Sequence, residues 1–339
     1  MNDPLAWGIL GTGNIARQFA TGVNASRRGR LAAVASRSPQ KARDFGQTHH
    51  IATPHASYQA LIDDPAVTAV YNALPNNLHH EWTIKALRAG KHVLCEKPFA
   101  VNLSQAQEMF DVAKKEGRLL MEAFMYRTHP LTHAVQQAVA SGAIGQVRLI
   151  RTSFCFKVSK WQGNIRFDPQ LAGGVIMDVG CYCVNFSRFF AGAEPSHIHV
   201  VHHRHESGID DIAAGTLVFP SGVIASFTCG MSVHADNMAS ICGSEGYIEI
   251  PIPWKPPASG ATFTIARSTP PKMENSTVKG PPPRETRTIT VEGDLYALEA
   301  DAFAASVLDN APLPITPQDT LNNQRVIDEL RRQLGYPLP

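Results

Sequence analysis

The sequence predicts an α/β chain: an N-terminal doubly wound parallel sheet, then an α+β domain with a large, mainly antiparallel open sheet. Three observations carry this. The first 125 residues alternate strand-like and helix-like periods, a glycine-rich turn joins the first strand to the first helix, and strand patterns dominate after about residue 190. A length of 339 residues suits two domains, at roughly 150 residues each. They are expected at residues 1–125 and 126–339.

Leu5–Leu10 is an apolar run ending at Gly11, after which Ile15, Ala16, Phe19, Ala20 and Val23 recur at helical spacing. Leu31–Ala35 and Val67–Leu74 read as further strands. A helix carrying Trp82, Ile84 and Leu87 ends before Gly90, and His92–Cys95 is another strand. Ser104 with Gln107 reads as a capping box for a helix that Gly117 closes, and Leu119–Phe124 follows as a strand. Repeated β-α units of this length imply a parallel sheet covered on both faces.

In the second half, Val147–Val158 is β-rich and a helix is expected near residues 175–190. Ile198–His203, Ile212–Phe219, Val223–Cys229, Met238–Cys242 and Tyr247–Ile250 then read as strands, with a hairpin turn at Pro220-Ser221-Gly222. Nine of the 24 prolines fall between Pro251 and Pro283, so that stretch is expected to be an exposed loop or excursion, and the sequence assigns it no function. Two helices end the chain, the second entered through Thr316-Pro317.

Composition narrows the function classes. Hydrophobic residues at 44% and charged residues at 18% describe an ordinary globular chain. A balance of 31 basic and 29 acidic residues gives no electrostatic footprint for nucleic acid or an anionic membrane. No apolar run approaches the ~20 residues that span a bilayer, and the N-terminus lacks a basic leader. Cys95, Cys155, Cys181, Cys183, Cys229 and Cys242 form no CxxC motif and sit in apolar segments, so buried reduced thiols in a cytoplasmic protein are expected.

Gly11-Thr12-Gly13-Asn14-Ile15-Ala16 fits the Gly-x-Gly-x-x-Gly/Ala pattern between a strand and a helix, the dinucleotide-binding context of a Rossmann domain. Gly11 permits the tight turn, Gly13 lets backbone approach a pyrophosphate, and Ala16 is small enough for close packing. The second strand ends at Ala35-Ser36-Arg37-Ser38, with Lys41 one turn later. An acid at that position would hold ribose hydroxyls and repel a 2′-phosphate; Ser36 and Arg37 can instead donate to it. NADP is therefore the expected cofactor. A merely solvated Arg37, with NAD used as well, is the alternative.

Lys97 follows a strand whose carboxyl end should border the ligand crevice. Asp178 and Tyr182, four apart in Gly173-Gly174-Val175-Ile176-Met177-Asp178-Val179-Gly180-Cys181-Tyr182, share a helix face. Taken alone, Tyr182 could equally be an aromatic packing residue, and Asp178 an acid favoured by the helix dipole.

With these stretches, Glu96-Lys97-Pro98 and the turn Gly243-Ser244-Glu245-Gly246, the sequence resembles the glucose-fructose oxidoreductase/inositol dehydrogenase/rhizopine-catabolism (Gfo/Idh/MocA) family. Met121–Arg127 and Asp178…Tyr182 resemble its subgroup of NADP-dependent xylose dehydrogenases and dimeric dihydrodiol dehydrogenases; many other members carry histidine where Tyr182 stands.

The resemblance implies hydride transfer between NADP and a secondary alcohol or ketone of a sugar or cyclic diol, with Lys97 and Tyr182 catalytic and Asp178 orienting substrate. It implies a cofactor site of Gly11, Thr12, Gly13, Asn14, Ile15, Ser36, Arg37, Lys41, Leu74, Pro75, Asn76, His79, Glu96 and Lys97, with Glu96 against the nicotinamide. It suggests Arg127 and Arg166 as substrate donors, a cis bond before Pro98, and no metal.

Free tyrosine titrates near 10, so a neighbouring Lys97 cation is expected to lower Tyr182 toward neutrality. The alternatives are a keto-sugar reductase running the reverse reaction and a non-catalytic dinucleotide-sensing regulator, which has no need of Lys97, Asp178 and Tyr182; were Tyr182 only a packing residue, Lys97 or His79 would carry the proton instead. His197, His199, His202, His203 and His205 crowd one strand and read as a solvated edge, with no acid converging on them. Ile212, Leu217, Val223 and Phe227, with few helices to cover them, predict an apolar sheet face that a homodimer or homotetramer would bury.

Overall fold

The computed structural model describes residues 3–267 and 283–337. The first domain runs β1 (Leu5–Leu10), α1 (Asn14–Ala25), β2 (Gly29–Ala35), α2 (Pro39–His49), β3 (Thr53–His55), α3 (Tyr58–Ile62), β4 (Ala69–Asn72), α4 (His79–Arg88), β5 (His92–Glu96), α5 (Leu103–Lys115) and β6 (Leu120–Ala123). Its six strands pair in parallel in the order β3-β2-β1-β4-β5-β6. The order reverses between β1 and β4, which opens a crevice beyond their carboxyl ends. β1 and β4 are buried along their whole length, as strands covered on both faces must be.

The second domain adds α6 (Pro130–Ala140), β7 (Val147–Cys155), a π-helical turn over Ile176–Gly180, α7 (Cys181–Ala191), β8 (His197–Arg204), β9 (Asp210–Val218), β10 (Ile224–Gly230), β11 (Ala239–Gly243), β12 (Gly246–Ile250), β13 (Ala261–Arg267), β14 (Arg284–Ile289), α8 (Leu295–Asp309) and α9 (Pro317–Gln333). Eight strands form one sheet, β14-β13-β12-β11-β7-β10-β9-β8, antiparallel except where β7 meets β10.

Several expectations need correction. Helix α5 is capped two residues before the expected capping box. Asn102 is the last extended residue, and its Oδ1 accepts the Gln105 N–H at 2.9 Å. Strand β13 lies inside the proline-rich stretch, because it pairs with both β12 and β14; residues 268–282 of that stretch lie outside the described residues. Leu217, Val223 and Phe227 are buried within the chain. Phe227 and Leu217 alternate with outward residues and lie on the face that α7 covers. The uncovered face carries instead Val201 and Ile224, both exposed, with Arg151, Ser226, Thr216 and His199 in register. On β8, His203 Nδ1 pairs with Asp211 at 2.7 Å, so one acid does meet the histidines. Among the described residues no group of three or more His, Cys, Asp or Glu could hold a metal. Cys242 is half-buried, while the other five thiols are buried and free.

The two domains share a core through the last helices. α8 packs on α1, β1 and β2, and α9 on α5 and β6. Trp7 of β1 contacts Phe303 of α8 with ring centroids 5.5 Å apart. Gly22 lets α1 and α8 approach, since a Cβ there would lie 2.5 Å from Tyr296 Cβ and 2.7 Å from the Ala297 nitrogen. Gly22→Val should therefore destabilise the chain by about 1–3 kcal/mol through overpacking. A urea midpoint equal to the parent's would show that α8 is not seated against α1.

Candidate active site

A cavity of about 500 Å³ opens where the carboxyl ends of β4 and β5 face the second domain. One end belongs to the glycine turn. Gly11 has φ +99°, and its N–H donates to Ala35 O at 2.9 Å. A Cβ added to Gly13 would meet nothing within 4 Å, so the turn opens on free space beside the first N–H groups of α1. That fits a dinucleotide's phosphates at a helix start. Gly13, Asn14, Ile15, Leu74, Asn76, Glu96 and Lys97 line the cavity; Thr12 and Pro75 flank it in the chain. Ser36, Arg37 and Lys41 gather at the end of β2 and the first turn of α2, with Arg37 and Lys41 exposed. Arg37 also hydrogen-bonds the Tyr58 side chain.

Lys97 directly follows β5, and its bond to Pro98 is cis. Its Nζ donates to Asp178 O at 2.9 Å and to Asp178 Oδ1 at 3.2 Å. Arg166 Nε donates to Asp178 Oδ2 at 2.7 Å. Asp178 and Lys97 side chains are each 13% exposed, against 42% for Arg166, so the carboxylate is sealed and the guanidinium faces the cavity. Burial alone would raise Asp178, but Lys97 and Arg166 override it and hold the carboxyl below its usual range. For Lys97, burial pulls downward and the Asp178 carboxylate more than compensates, leaving the ammonium raised.

Tyr182, in the first turn of α7, reaches the same cavity. Lys97 Nζ lies 5.3 Å from its ring centroid, and its hydroxyl points at Met125 Sδ, 3.3 Å away. The expected depression of its pKa is not found. Burial, then the Glu96 charge, push it well above 10.0, while Lys97 is committed to Asp178 rather than to the phenol. The ring sits among Phe124, Phe154 and Trp254 at 5.1–6.0 Å.

His79 and Arg127 depart from the expected site. His79 is fully enclosed: Nδ1 faces Pro98 O at 2.9 Å and Nε2 faces Leu74 O at 2.8 Å. Burial lowers its pKa to about 4. It tethers the β4 and β5 loops and has no free nitrogen to carry a proton. Arg127 is buried outside the cavity, its Nη1 donating to Asp319 Oδ2 at 2.9 Å and Asn185 Oδ1 at 3.2 Å. Asp319 on α9 claims the guanidinium that sequence reading assigned to substrate. Glu96 is buried beside the cavity, bonded by the Tyr71 hydroxyl and the Lys97 N–H, and burial raises its pKa. Asn76 Nδ2 donates to Ala172 O at 2.9 Å, joining the two domains across the cavity.

The sequence reading missed a segment. Ile252, Trp254 and Lys255, from the proline-rich stretch, line the cavity. Trp254 is buried, stacks on Phe154 at 5.5 Å and 4°, and donates Nε1–H to Ser153 O. A buried tryptophan between prolines was the available signal.

The chain belongs to the Gfo/Idh/MocA oxidoreductase family: the family's NAD-binding Rossmann fold matches residues 5–124 and its C-terminal domain residues 132–249. It is 31% identical over 342 residues to human trans-1,2-dihydrobenzene-1,2-diol dehydrogenase, covering 99% of this chain and 98% of the relative. It is 33% identical to the D-xylose 1-dehydrogenase (NADP(+)) 2 of Haloferax volcanii, covering 96% of each. A crystal structure of KijD10, a 3-ketoreductase from Actinomadura kijaniata in complex with NADP and TDP-benzene, superposes with a TM-score of 0.86 at 30% identity over 98% of each chain. The chain is thus an oxidoreductase acting on CH–OH groups. No helix among the described residues is long and apolar enough to cross a membrane.

The opposed effects on Lys97 are separable. Asp178→Asn removes the largest of the raising charges and leaves burial and the Arg166 charge, which lower the ammonium, opposed only by the smaller influences of Cys181 and Glu96. Lys97 should then titrate lower than in the parent and acylate faster at mildly alkaline pH, read by mass-spectrometric mapping of lysine labelling. An unchanged labelling profile would mean that Asp178 does not set the charge on Lys97.

Proposed function

We propose that the protein transfers a hydride between NADP and a secondary alcohol or ketone of a sugar or cyclic diol, with Tyr182 as the proton-transferring group and Lys97 beside it. The observation that carries this is the meeting of the Lys97–Asp178–Arg166 ion cluster and the Tyr182 hydroxyl in one cavity whose far end is the glycine turn. The NADP named for the xylose dehydrogenase and present in the KijD10 complex supports the cofactor, as does the uncompensated Arg37 beside Ser36 at the end of β2. A bound NADP(H) supplies or accepts the hydride.

The chain's own groups do the rest. An ammonium has three donors, and Lys97 spends its contacts on the Asp178 carbonyl and carboxylate, leaving one N–H for a substrate oxygen. Arg166 spends only Nε–H on Asp178 and keeps its remaining donors for hydroxyls. Phe154 and Trp254 offer an aromatic wall to the C–H face of a ring. A phenol pushed above 10 is protonated at neutral pH, so Tyr182 is a proton donor to the alkoxide formed in reduction. This favours the ketone-reducing direction for the resting geometry.

The exposed sheet face, with Val201 and Ile224 at 59% and 44% exposure, is proposed as the surface of a homodimer or homotetramer. Light scattering at micromolar concentration should give a mass of at least two chains; a monomer rejects this.

Arg37→Asp removes a charge-assisted hydrogen bond worth about 1.5–3 kcal/mol, so preference should move from NADP towards NAD by about one to two decades. Unchanged NADP affinity would take Arg37 out of the site.

Tyr182→Phe keeps the ring packing and removes the hydroxyl. Turnover should fall by about 10²–10⁴-fold with NADPH affinity nearly intact. Ketone reduction by the parent should be nearly flat from about pH 6 to 9, because the phenol stays protonated across that range. Lys97→Met should cost a comparable factor, and the double variant far less than the product, since the two act on one oxygen. Near-native turnover in Tyr182→Phe would make the tyrosine a packing residue only.

A further inference from the structure

Resting on the dinucleotide site just described, we infer that Lys255 is a ligand for the cofactor's diphosphate, supplied by the second domain across the cleft. Three features of the site lead there. The cavity wall at the glycine turn, formed by Gly13, Asn14, Ile15 and Gln18, carries no charge. Arg17, in the first turn of α1, is exposed and lies near His49 of α2, whose pKa its charge helps to lower. At this end of the cavity a diphosphate therefore meets backbone N–H groups but no cation from its own domain.

Lys255 fills that need. Its Nζ donates to Gln18 Oε1 at 3.1 Å, one turn along α1 from Asn14. Gln18 Oε1 also accepts the Tyr296 hydroxyl at 3.2 Å, so the contact point is braced from α8. Among the described residues Lys255 makes no ion pair; its hydrogen-bond partner is a neutral amide. The other cavity cations, Lys97 and Arg166, are both paired with Asp178. A cation on the cavity wall in no contact ion pair, with the Glu96 and Asp178 carboxylates acting on it only at a distance, is placed to receive an anion.

The segment that presents Lys255 is stiff. Pro251, Pro253, Pro256 and Pro257 restrict its backbone, and Trp254 is pinned by its Nε1–H bond to Ser153 O at 2.8 Å and by its stack on Phe154. Positioning the ammonium thus costs little entropy on binding. Partial burial, then Lys97, hold its pKa somewhat down, an effect that an arriving diphosphate would reverse.

The test is equilibrium binding, read by tryptophan fluorescence, of NADPH, 2′-phospho-ADP-ribose and adenosine 2′-monophosphate to the full chain and to Lys255→Met and Lys255→Arg. Lys255→Met should weaken NADPH and 2′-phospho-ADP-ribose, which carry the diphosphate, by about 10- to 100-fold. It should leave adenosine 2′-monophosphate within about 3-fold and flatten the salt dependence of NADPH binding. Lys255→Arg should restore most of the loss. Equal weakening of all three ligands, or of none, overturns the assignment. So does an unchanged NADPH affinity with a raised KM for the ketone substrate, which would make Lys255 a substrate residue. Failure of the unaltered protein to bind NADPH would instead overturn the proposed cofactor, and this inference with it.

Discussion

Asp178 is held by two cations that come from opposite sides of the domain junction, and the site depends on that arrangement. Lys97 arrives from the end of β5, Arg166 from the loop before the π-helical turn. A carboxylate so enclosed would be costly if left unpaired, and breaking one partner of a buried pair typically costs ~3–5 kcal/mol. The cluster therefore fixes the separation between the Rossmann crevice and the second domain as well as the protonation states within it. Asp178 also accepts Lys97 through its backbone carbonyl. The π-helical turn matters here because it precedes α7 directly, placing Asp178 and Tyr182 on one cavity wall.

The junction is reinforced from behind. Helices α8 and α9 leave the second domain and pack on the first, so the chain is two sheets sharing one set of helices rather than two units on a linker. Arg331 of α9 donates to Val101 O at 2.6 Å, and Asp328 accepts the Leu103 N–H at the start of α5. Asp319 of α9 binds both Arg127 and Arg188. These contacts tie the segment after β5, which carries Lys97, to the layer beneath α7, which carries Tyr182.

Much of this was legible in the sequence. The β-α alternation, the glycine turn and the acid-poor end of β2 are local patterns, and each is set by residues adjacent in the chain. Lys97, Asp178 and Tyr182 could be named because their short motifs carry the family resemblance, and the structure gathers them in one cavity. What escaped depends on partners far along the chain. Arg127 looked available until Asp319, 192 positions later, took it. Phe227 looked uncovered until α7 was laid over it. Proline density over 251–283 suggested an exposed loop and assigned it no function, yet Trp254 and Lys255 within it line the cavity.

The Tyr182 environment was misjudged for a related reason. Proximity of a lysine suggested a lowered pKa, but proximity does not decide the sign. A phenolate is disfavoured by burial and by nearby carboxylates, and favoured only by a cation free to face its oxygen. Here the ring is enclosed by Phe124, Phe154 and Trp254, Glu96 is the next largest influence, and Lys97 is turned to Asp178. The cluster that stabilises the charge on Lys97 therefore withholds that charge from Tyr182. Under the proposed assignment, such a site keeps Tyr182 protonated and Lys97 charged, the pairing needed to receive a ketone oxygen as it gains negative charge. Under the same assignment, oxidation must first draw the proton out of a well-enclosed phenol, so the two directions would differ in their demand on pH.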